Sequence, residues 1–182
     1  VRVKAFKKPT QNEIEHDFLW RVHQHTPRSG HIQVFNRSHY EDVLVARVHK
    51  LVDEDVWRRR YEHIRHFEAL LADNNTLVVK VLLHISKEEQ RERLQARVDD
   101  PTRRWKFSSA DLAERKLWDD YQAAFTDALL ETSTDYAPWY VIPADRKWFR
   151  NYAVSSILRE LLEAQPMEWP EAEDDIEGLV VE

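Results

Sequence analysis

The chain has 182 residues, 42% of them hydrophobic and seven of them tryptophan, a composition that predicts one globular domain and excludes intrinsic disorder. It has no cysteine, which excludes disulfides and thiolate zinc sites and fits a reducing cytoplasm best. No apolar run approaches the roughly 20 residues that a membrane helix needs, so we expect no membrane partner. Without the seven acids between Glu168 and Glu182, the formal net charge of −6 becomes +1.

The first half of the chain alternates between strands and helices. The predicted elements are a strand over Val1–Phe6, a helix over Thr10–His25, a strand over His31–Phe35, a helix from about His39 and a long helix from Asp53 or Asp55. The pattern Thr10-Gln-Asn-Glu13 is a capping box, in which each end residue satisfies a backbone N–H of the first helical turn.

The second half continues the alternation. The predicted elements are a strand over Leu77–Ile85, a helix over Ser86–Val98, a helix from Ser108 or Ser109 to about Leu130, a strand over Trp139–Ile142 and a helix over Trp148–Glu163. The strand from Leu77 is an unbroken apolar run, which predicts burial on both faces. Such alternation favours a three-layer α/β/α fold with a parallel sheet between helices.

These elements predict one domain over residues 1–165. Its charged part, residues 88–116, is broken by Asp99-Asp100-Pro101 and is expected to form a helical hairpin over the edge of the sheet. Residues 166–182 form an acidic tail that we expect to be flexible. The only glycines are Gly30 and Gly178, so no glycine-rich loop that could cradle a phosphate can be drawn in this chain.

Polar side chains follow the second predicted strand at the point where it ends. Asn36, Arg37 and Ser38 come directly after the apolar run, and ligands of parallel sheets bind at the carboxyl ends of the strands. Arg37 could donate bidentately to a phosphate, or it could pair with a neighbouring carboxylate at a helix start. Glu41 and Asp42 could hold Mg²⁺ or an acceptor hydroxyl, or could be first-turn acids that favour the helix dipole.

The hairpin supplies a second set of cations. The basic residues there are Arg91, Arg93, Arg97, Arg103, Arg104, Lys106 and Arg115. A mobile basic hairpin could close over a phosphate chain, although most charged helices are solvated faces whose acids and bases pair with each other. Lys7 and Lys8, after the first strand, could face the same site or keep the edge soluble. The nine histidines fall in no recognised spacing of transition-metal ligands.

Four ordered motifs resemble those of a known family. Phe35–Leu44 resembles the Walker B region of the type 2 polyphosphate kinases, and Ala5–Thr10, His16–Arg21 and Asp99–Lys106 match the family in order. The resemblance covers residue 1 to about Gln165. It implies a thymidylate-kinase-like P-loop fold with a helical lid, and phosphoryl transfer between inorganic polyphosphate and adenine nucleotides (ADP, AMP and ATP) with Mg²⁺. It also leads us to expect a cytoplasmic homo-oligomer.

The resemblance also suggests roles for individual residues. Asn36 and Arg37 would occupy the Walker B turn, where many members have Asp in place of Asn36, and Asn36 and Asp42 are the candidate Mg²⁺ ligands. Glu41 falls where the subgroup that accepts both mono- and diphosphates tends to carry an acid. The lid and its phosphate-binding cations would include Arg97, Arg103, Arg104 and Lys106.

One departure from the family pattern is large. Members carry a glycine-rich Walker A loop upstream, on a strand that lies centrally in the sheet, and this chain begins after it. Without that strand we expect two half-sheets with unpaired inner edges, between the strand ending at Phe35 and the strand from Leu77. The chain would then be a fragment, or another chain would complete the sheet.

The sequence therefore supports two functions. The first is a polyphosphate-dependent nucleotide kinase, and the alternative is a catalytically inactive fragment or paralogue that binds polyanions or partner chains. A nucleic-acid binder is disfavoured, because the nearly neutral domain and the acidic tail would repel a duplex.

Overall fold

In the computed structural model of the protein, residues 1–169 are described. The elements are β1 (Arg2–Ala5), α1 (Gln11–Ile14), α2 (Trp20–His23), β2 (Gln33–Asn36), a 3₁₀ helix (His39–Asp42), α3 (Val45–Val48), α4 (Glu54–Asp73), β3 (Lys80–His84), α5 (Lys87–Asp99), a 3₁₀ helix (Arg104–Lys106), α6 (Ser109–Lys116), α7 (Trp118–Thr132), β4 (Trp139–Pro143) and α8 (Lys147–Glu163). This order confirms the predicted α/β class. Most of the predicted acidic tail, residues 170–182, lies outside the described residues.

The strands of residues 1–169 form two separate parallel pairs. In the first sheet β1 runs beside β2, with Arg2 opposite Gln33 and Ala5 opposite Asn36. In the second sheet β3 runs beside β4, with Lys80 opposite Trp139. The parallel pairing is as predicted. The single three-layer sheet is not present in this part of the chain, which has the two half-sheets expected if a central strand is supplied from elsewhere.

Strand β3 is shorter and more exposed than predicted. The apolar run Leu77–Ile85 was expected to be buried on both faces, but the strand spans only Lys80–His84 and Leu83 is 47% exposed. Within residues 1–169 it pairs with β4 alone. A strand with one open edge and no strand beyond it lacks the neighbours that burial on both faces requires.

The predicted helix over Thr10–His25 is two short helices. Its capping box is confirmed, since Thr10 N–H donates to Glu13 and Glu13 N–H donates to the Thr10 hydroxyl, at 2.7 and 3.3 Å. The helix ends early because the Asp17 carboxylate accepts the N–H groups of Leu19 and Trp20 at 2.9 and 3.1 Å. A side chain that bonds the backbone in this way competes with the helical ladder.

Two further helices are also divided. The element predicted from His39 is a 3₁₀ turn followed by α3, and the element predicted from Ser108 or Ser109 is α6 and α7, which meet at Leu117 with ψ of 18°. The long helix α4 begins after Asp53 as predicted.

The main core lies between the 3₁₀ turn after β2 and the helices α3, α4 and α7. Its buried residues are Tyr40, Val43, Leu44, Trp57, Tyr61, Ile64, Ala124 and Ala128. A smaller cluster of Phe6, Val22 and Phe67 joins the first sheet to α2 and α4. Both clusters contain residues of α4, so this helix is the element that both sheets and the site depend on for support.

The last helix presents apolar side chains to the outside. No residue of α8 is buried, and Trp148, Tyr152 and Leu158 are 65%, 66% and 42% exposed. An exposed apolar face of this kind marks a surface that another element or molecule covers. Within residues 1–169, no helix has both the length and the apolar character that crossing a membrane requires.

Truncation of the centre of α4 tests this description of the core. Ile64 is fully buried, so Ile64→Ala should lower the free energy of unfolding by about 2–5 kcal/mol, through lost transfer energy and a cavity. Leu130→Ala, at a position that is 77% exposed on α7, should change it by less than about 0.5 kcal/mol. Urea unfolding measures both variants, and equal losses would contradict the assigned core.

Candidate active site

The carboxyl ends of β1 and β2 bring three predicted site residues to one edge. Ala5 lies opposite Asn36, and the Phe6 N–H donates to the Asn36 carbonyl at 3.0 Å. Lys7 and Lys8 therefore leave the sheet beside the segment of residues 36–42, which we call the strand-end segment. Both lysines are exposed. Both possibilities for these lysines, contact with an anion and solubility of the sheet edge, therefore stay open.

Arg37 has an unusual backbone conformation. Its φ is 60°, in the left-handed region that residues other than glycine rarely adopt, and its side chain is 65% exposed. Such a conformation costs of the order of 1–3 kcal/mol and persists where the surroundings enforce it. Here Ser38 caps the following turn by accepting the Tyr40 N–H at 3.3 Å. The backbone is thus bent so that the Arg37 guanidinium points outward at the sheet edge.

Glu41 lies next to this guanidinium. A distance of 3.5 Å separates Arg37 Nη1 from Glu41 Oε2, so the pairing with a neighbouring carboxylate, left open by the sequence, is present. Burial raises the pKa of Glu41, and the positive charge of Arg37 opposes that rise. Because Arg37 is also largely exposed, its guanidinium stays accessible from solvent although it is paired with Glu41.

Asp42 is held by an arginine that the sequence reasoning missed. Arg60 of α4 donates to the Asp42 carbonyl at 2.8 Å and to its carboxylate at 3.2 Å. Burial raises the pKa of Asp42, and Arg60 opposes the rise. Helical spacing could have found Arg60, since it lies one turn from Trp57 and Ile64 and so shares their inward face.

A second buried arginine supports the loop after β1. Arg21 is 9% exposed, donates to the Lys7 carbonyl at 2.8 Å and lies 3.6 Å from the Glu13 carboxylate. Its guanidinium also lies over the Phe6 ring, 5.0 Å from the centroid. The motif His16–Arg21 therefore has a structural task, which is to fix the backbone that carries Lys7 and Lys8.

The four predicted lid cations have partners inside their own hairpin. Arg97 pairs with Asp111 at 3.3 Å, Arg103 with Asp100 at 2.9 Å, Arg104 donates to the Val98 carbonyl at 2.9 Å, and Lys106 lies 4.9 Å from the centre of the Trp105 ring. In the described part of the chain, no hydrogen bond or ion pair joins them to the strand-end segment. The structure therefore does not bring these residues to Arg37, and their action as a lid stays a prediction.

The base of the hairpin does come near the site. Glu114 of α6 accepts the Tyr121 hydroxyl at 2.7 Å and pairs with His49 at 3.0 Å. Partial burial raises the pKa of Glu114, but hydrogen bonds from Tyr121 and His49, with the charge of Arg37, lower it overall. Sequence reasoning gave Glu114 no role, because its partner His49 lies 65 residues away in the chain.

Comparison with known proteins shows to which family the chain belongs. The profile of the family described as Polyphosphate kinase 2 (PPK2) matches residues 1–170. The chain belongs to the polyphosphate kinase 2 family. The AMP/ADP-polyphosphate phosphotransferase of Meiothermus ruber is 57% identical over all of this chain and 68% of its own length. The ADP-polyphosphate phosphotransferase of Rhodopseudomonas palustris is 46% identical over 93% of this chain and 63% of its own length.

A solved structure agrees with this family. Polyphosphate kinase 2 from Arthrobacter aurescens superimposes with a TM-score of 0.93 at 48% identity, covering 96% of this chain and 62% of that one. The chain thus spans about two thirds of the length of these polyphosphate kinase 2 relatives.

Magnesium ligation was predicted for Asn36 and Asp42. Among residues 1–169, no cluster of three or more His, Asp or Glu side chains is arranged to hold a metal ion. Magnesium usually keeps several waters and is held through one or two carboxylates plus substrate phosphates. In this member of the polyphosphate kinase 2 family the Asp42 carboxylate accepts from Arg60 at 3.2 Å, and Mg²⁺ binding by Asn36 and Asp42 stays a prediction.

The carboxyl groups of the site provide a test by titration. Loss of the Arg37 charge in Arg37→Met should raise the pKa of Glu41 further, because burial then acts unopposed. Carboxyl-carbon NMR titration measures this, with Arg58→Met as the control, since Arg58 pairs instead with Glu54 on the outer side of α4. An unchanged pKa of Glu41 in Arg37→Met would contradict the pairing.

The raised pKa values of Glu41 and Asp42 also determine how the free energy of unfolding depends on pH. Raised pKa values mean that the folded protein binds more protons than the unfolded chain, in the window between the ordinary carboxyl pKa and the raised values. Through that window, Glu41 and Asp42 lower the free energy of unfolding as the pH rises. In Glu41→Gln the pH dependence should become weaker, which chemical denaturation at several pH values would measure.

Proposed function

We propose that this chain is the larger part of a phosphotransferase that moves a phosphoryl group between inorganic polyphosphate and ADP or AMP. An oxygen of the acceptor's terminal phosphate forms a new bond to the end phosphorus of polyphosphate. The bond from that phosphorus to the next unit breaks, and the shortened polyphosphate leaves. The observation that carries the proposal is the 57% identity, over the whole chain, to a protein named AMP/ADP-polyphosphate phosphotransferase.

The geometry of the strand ends suits this reaction. Phosphoryl transfer depends mainly on positioning and on neutralising the charge of the phosphate oxygens. Lys7, Lys8 and Arg37 place exposed positive charge at one sheet edge, and Glu41 keeps Arg37 within 3.5 Å until a phosphate competes for it. In this proposal Arg97, Arg103, Arg104 and Lys106 supply further positive charge when the hairpin closes as a lid.

Magnesium is part of the proposal. The ion would neutralise phosphate oxygens, and the Asn36 amide and the Asp42 carboxylate are the residues that would hold it or its waters. We favour Asn36 of the two, because it is an exposed residue at the end of β2, whereas the Asp42 carboxylate accepts from Arg60.

We also infer that a strand from outside this chain segment completes a three-layer P-loop kinase fold between the two sheets. Three observations support it: the sheets are separate, α8 exposes an apolar face, and the Arthrobacter structure aligns closely although over a third of that chain has no counterpart here. A homo-oligomer in the cytoplasm remains our expectation, and light scattering would measure its mass.

The direct test is ATP formation from polyphosphate and ADP with Mg²⁺, and ADP formation when AMP replaces ADP. The 182-residue chain and the full-length protein that contains it are assayed side by side. Turnover by the full-length protein supports the proposal. Binding of polyphosphate without turnover in both would support instead the inactive polyanion-binding alternative, and neither turnover nor binding would overturn both.

Glu41 should affect the choice of acceptor. We expect Glu41→Gln to lower kcat/KM for AMP at least tenfold more than for ADP, equivalent to about 1.4 kcal/mol. The reason is that loss of the carboxylate charge frees Arg37 from its 3.5 Å contact and changes how the shorter acceptor is placed. Glu41→Asp keeps the charge and serves as the control. Equal losses with both nucleotides would contradict this role.

Replacement of Arg37 by glycine distinguishes the effect of its strained backbone on stability from the effect of its side chain on turnover. Glycine adopts a φ of 60° without steric strain, so in Arg37→Gly the free energy of unfolding should rise or change by less than about 1 kcal/mol. Turnover should fall roughly 100-fold, because the positive charge of the guanidinium is lost. Lys50 has a φ of 52° and lies outside the site, so Lys50→Gly should resemble it in stability but retain activity. Comparable activity of the two variants would remove Arg37 from the site.

A further inference from the structure

A buried polar network lies beneath the strand-end segment. Glu68 of α4 is fully buried and Lys80 of β3 is 6% exposed, with 2.6 Å between Lys80 Nζ and Glu68 Oε2. The Tyr40 hydroxyl lies 2.9 Å from both Glu68 Oε1 and Thr132 Oγ1 and accepts from Lys80 Nζ at 3.1 Å. Lys80 also donates to the Thr132 carbonyl at 2.7 Å. The network therefore pairs the charges of Glu68 and Lys80 with each other and with polar neighbours.

Stability alone does not account for this network. Taking two charges out of water costs several kcal/mol per ion before their attraction is counted, and apolar residues of similar volume often stabilise a core as well or better. Burial lowers the pKa of Lys80, and the nearby Glu68 carboxylate opposes that effect. A charged pair at this position is thus expected to serve geometry, because hydrogen bonds fix direction in a way that apolar contacts do not.

The elements that the network joins show which geometry it fixes. Tyr40 belongs to the strand-end segment, three residues after Arg37 and one before Glu41. Lys80 begins β3 of the second sheet, and Thr132 ends α7, the helix that follows the basic hairpin. Tyr40 also packs edge-on against Trp139 of β4, with ring centroids 4.7 Å apart. The strand-end segment of the first sheet is thereby bonded to the second sheet.

We propose that Glu68 is a positioning residue for phosphoryl transfer. By holding Tyr40 and Lys80 together it fixes the strand-end segment against the second sheet, and so sets where Arg37 and Glu41 meet the phosphates. This role rests on the proposed function, whereas the fixing of the segment itself does not. Glu68 touches no substrate in this scheme and acts through Tyr40.

Two variants of the full-length protein and one control test the role. Tyr40→Phe removes the hydroxyl and keeps the ring, and the double variant Glu68→Leu/Lys80→Met replaces the ion pair by apolar side chains that the core can accommodate. Arg65→Met is the matched control, because Arg65 joins the same helices α4 and α7 through the Glu131 carbonyl, at 2.6 Å, without touching the segment. Hydrogen exchange of residues 36–44 is measured with kcat and KM.

Positioning predicts a pattern that a purely structural role does not. Tyr40→Phe and the double variant should exchange the amides of residues 36–44 at least tenfold faster and lose at least tenfold in kcat, with a smaller change in KM. Arg65→Met should do neither, even if its thermal stability falls. Unchanged exchange in both test variants, or unchanged kcat despite faster exchange, would overturn the proposal.

The two proposals fail separately. If the unsubstituted protein transfers no phosphoryl group, the proposed function is wrong. The exchange rates then still decide whether Glu68 and Tyr40 fix the segment. If the double variant does not fold, Tyr40→Phe carries the test alone, because it leaves the ion pair and the aromatic packing in place.

Discussion

The ion pair between Glu68 and Lys80 is the constraint on which the rest of this structure depends. Within residues 1–169 no strand pairing joins the two sheets, so their relative position depends on the core around α4 and on the bonds between these two side chains. A buried charge tolerates little displacement, since a lost partner leaves it uncompensated at a cost of roughly 3–5 kcal/mol. The pair therefore holds the start of β3, in the second sheet, against α4, which also packs against the first sheet.

Carboxylates are paired with cationic side chains at the surface of the site as well. Glu41 and Asp42 each have a raised pKa because they are partly buried, and each has an arginine that opposes the rise. Arg37 is the exposed member, whereas Arg60 is enclosed and bonded to the Asp42 backbone. A phosphate that draws Arg37 away from Glu41 would favour protonation of that carboxyl group. Anion binding and the charge of Glu41 are therefore linked, and by reciprocity each affects the other.

Patterns in the sequence predicted those features of the fold that depend on interactions between residues close together in the chain. The capping box at Thr10, the start of α4 after Asp53 and the second strand each depend on neighbours within a few residues, and each was found, although the strand was predicted to end at Phe35 and ends at Asn36. Arg60 lies 18 residues from Asp42, the partners of Tyr40 lie 28 to 92 residues away, and His49 lies 65 residues from Glu114, so no spacing rule links them. The exposure of β3 was missed for another reason. An apolar run shows that a strand can be buried, but it does not show whether the described chain provides the neighbouring elements that would bury it.

If the basic hairpin acts as the predicted lid, its own ion pairs would make closure reversible. Arg97 and Arg103 are already paired with Asp111 and Asp100, so closure over phosphates exchanges one anionic partner for another and gains only the difference between the two. Exposed pairs of this kind are worth about 0–1 kcal/mol each, which a phosphate chain easily exceeds while it is bound. Once the product leaves, the same acids recapture the arginines. A hairpin built from solvated ion pairs is for this reason better suited to repeated opening than one whose cations have no partner in the open state.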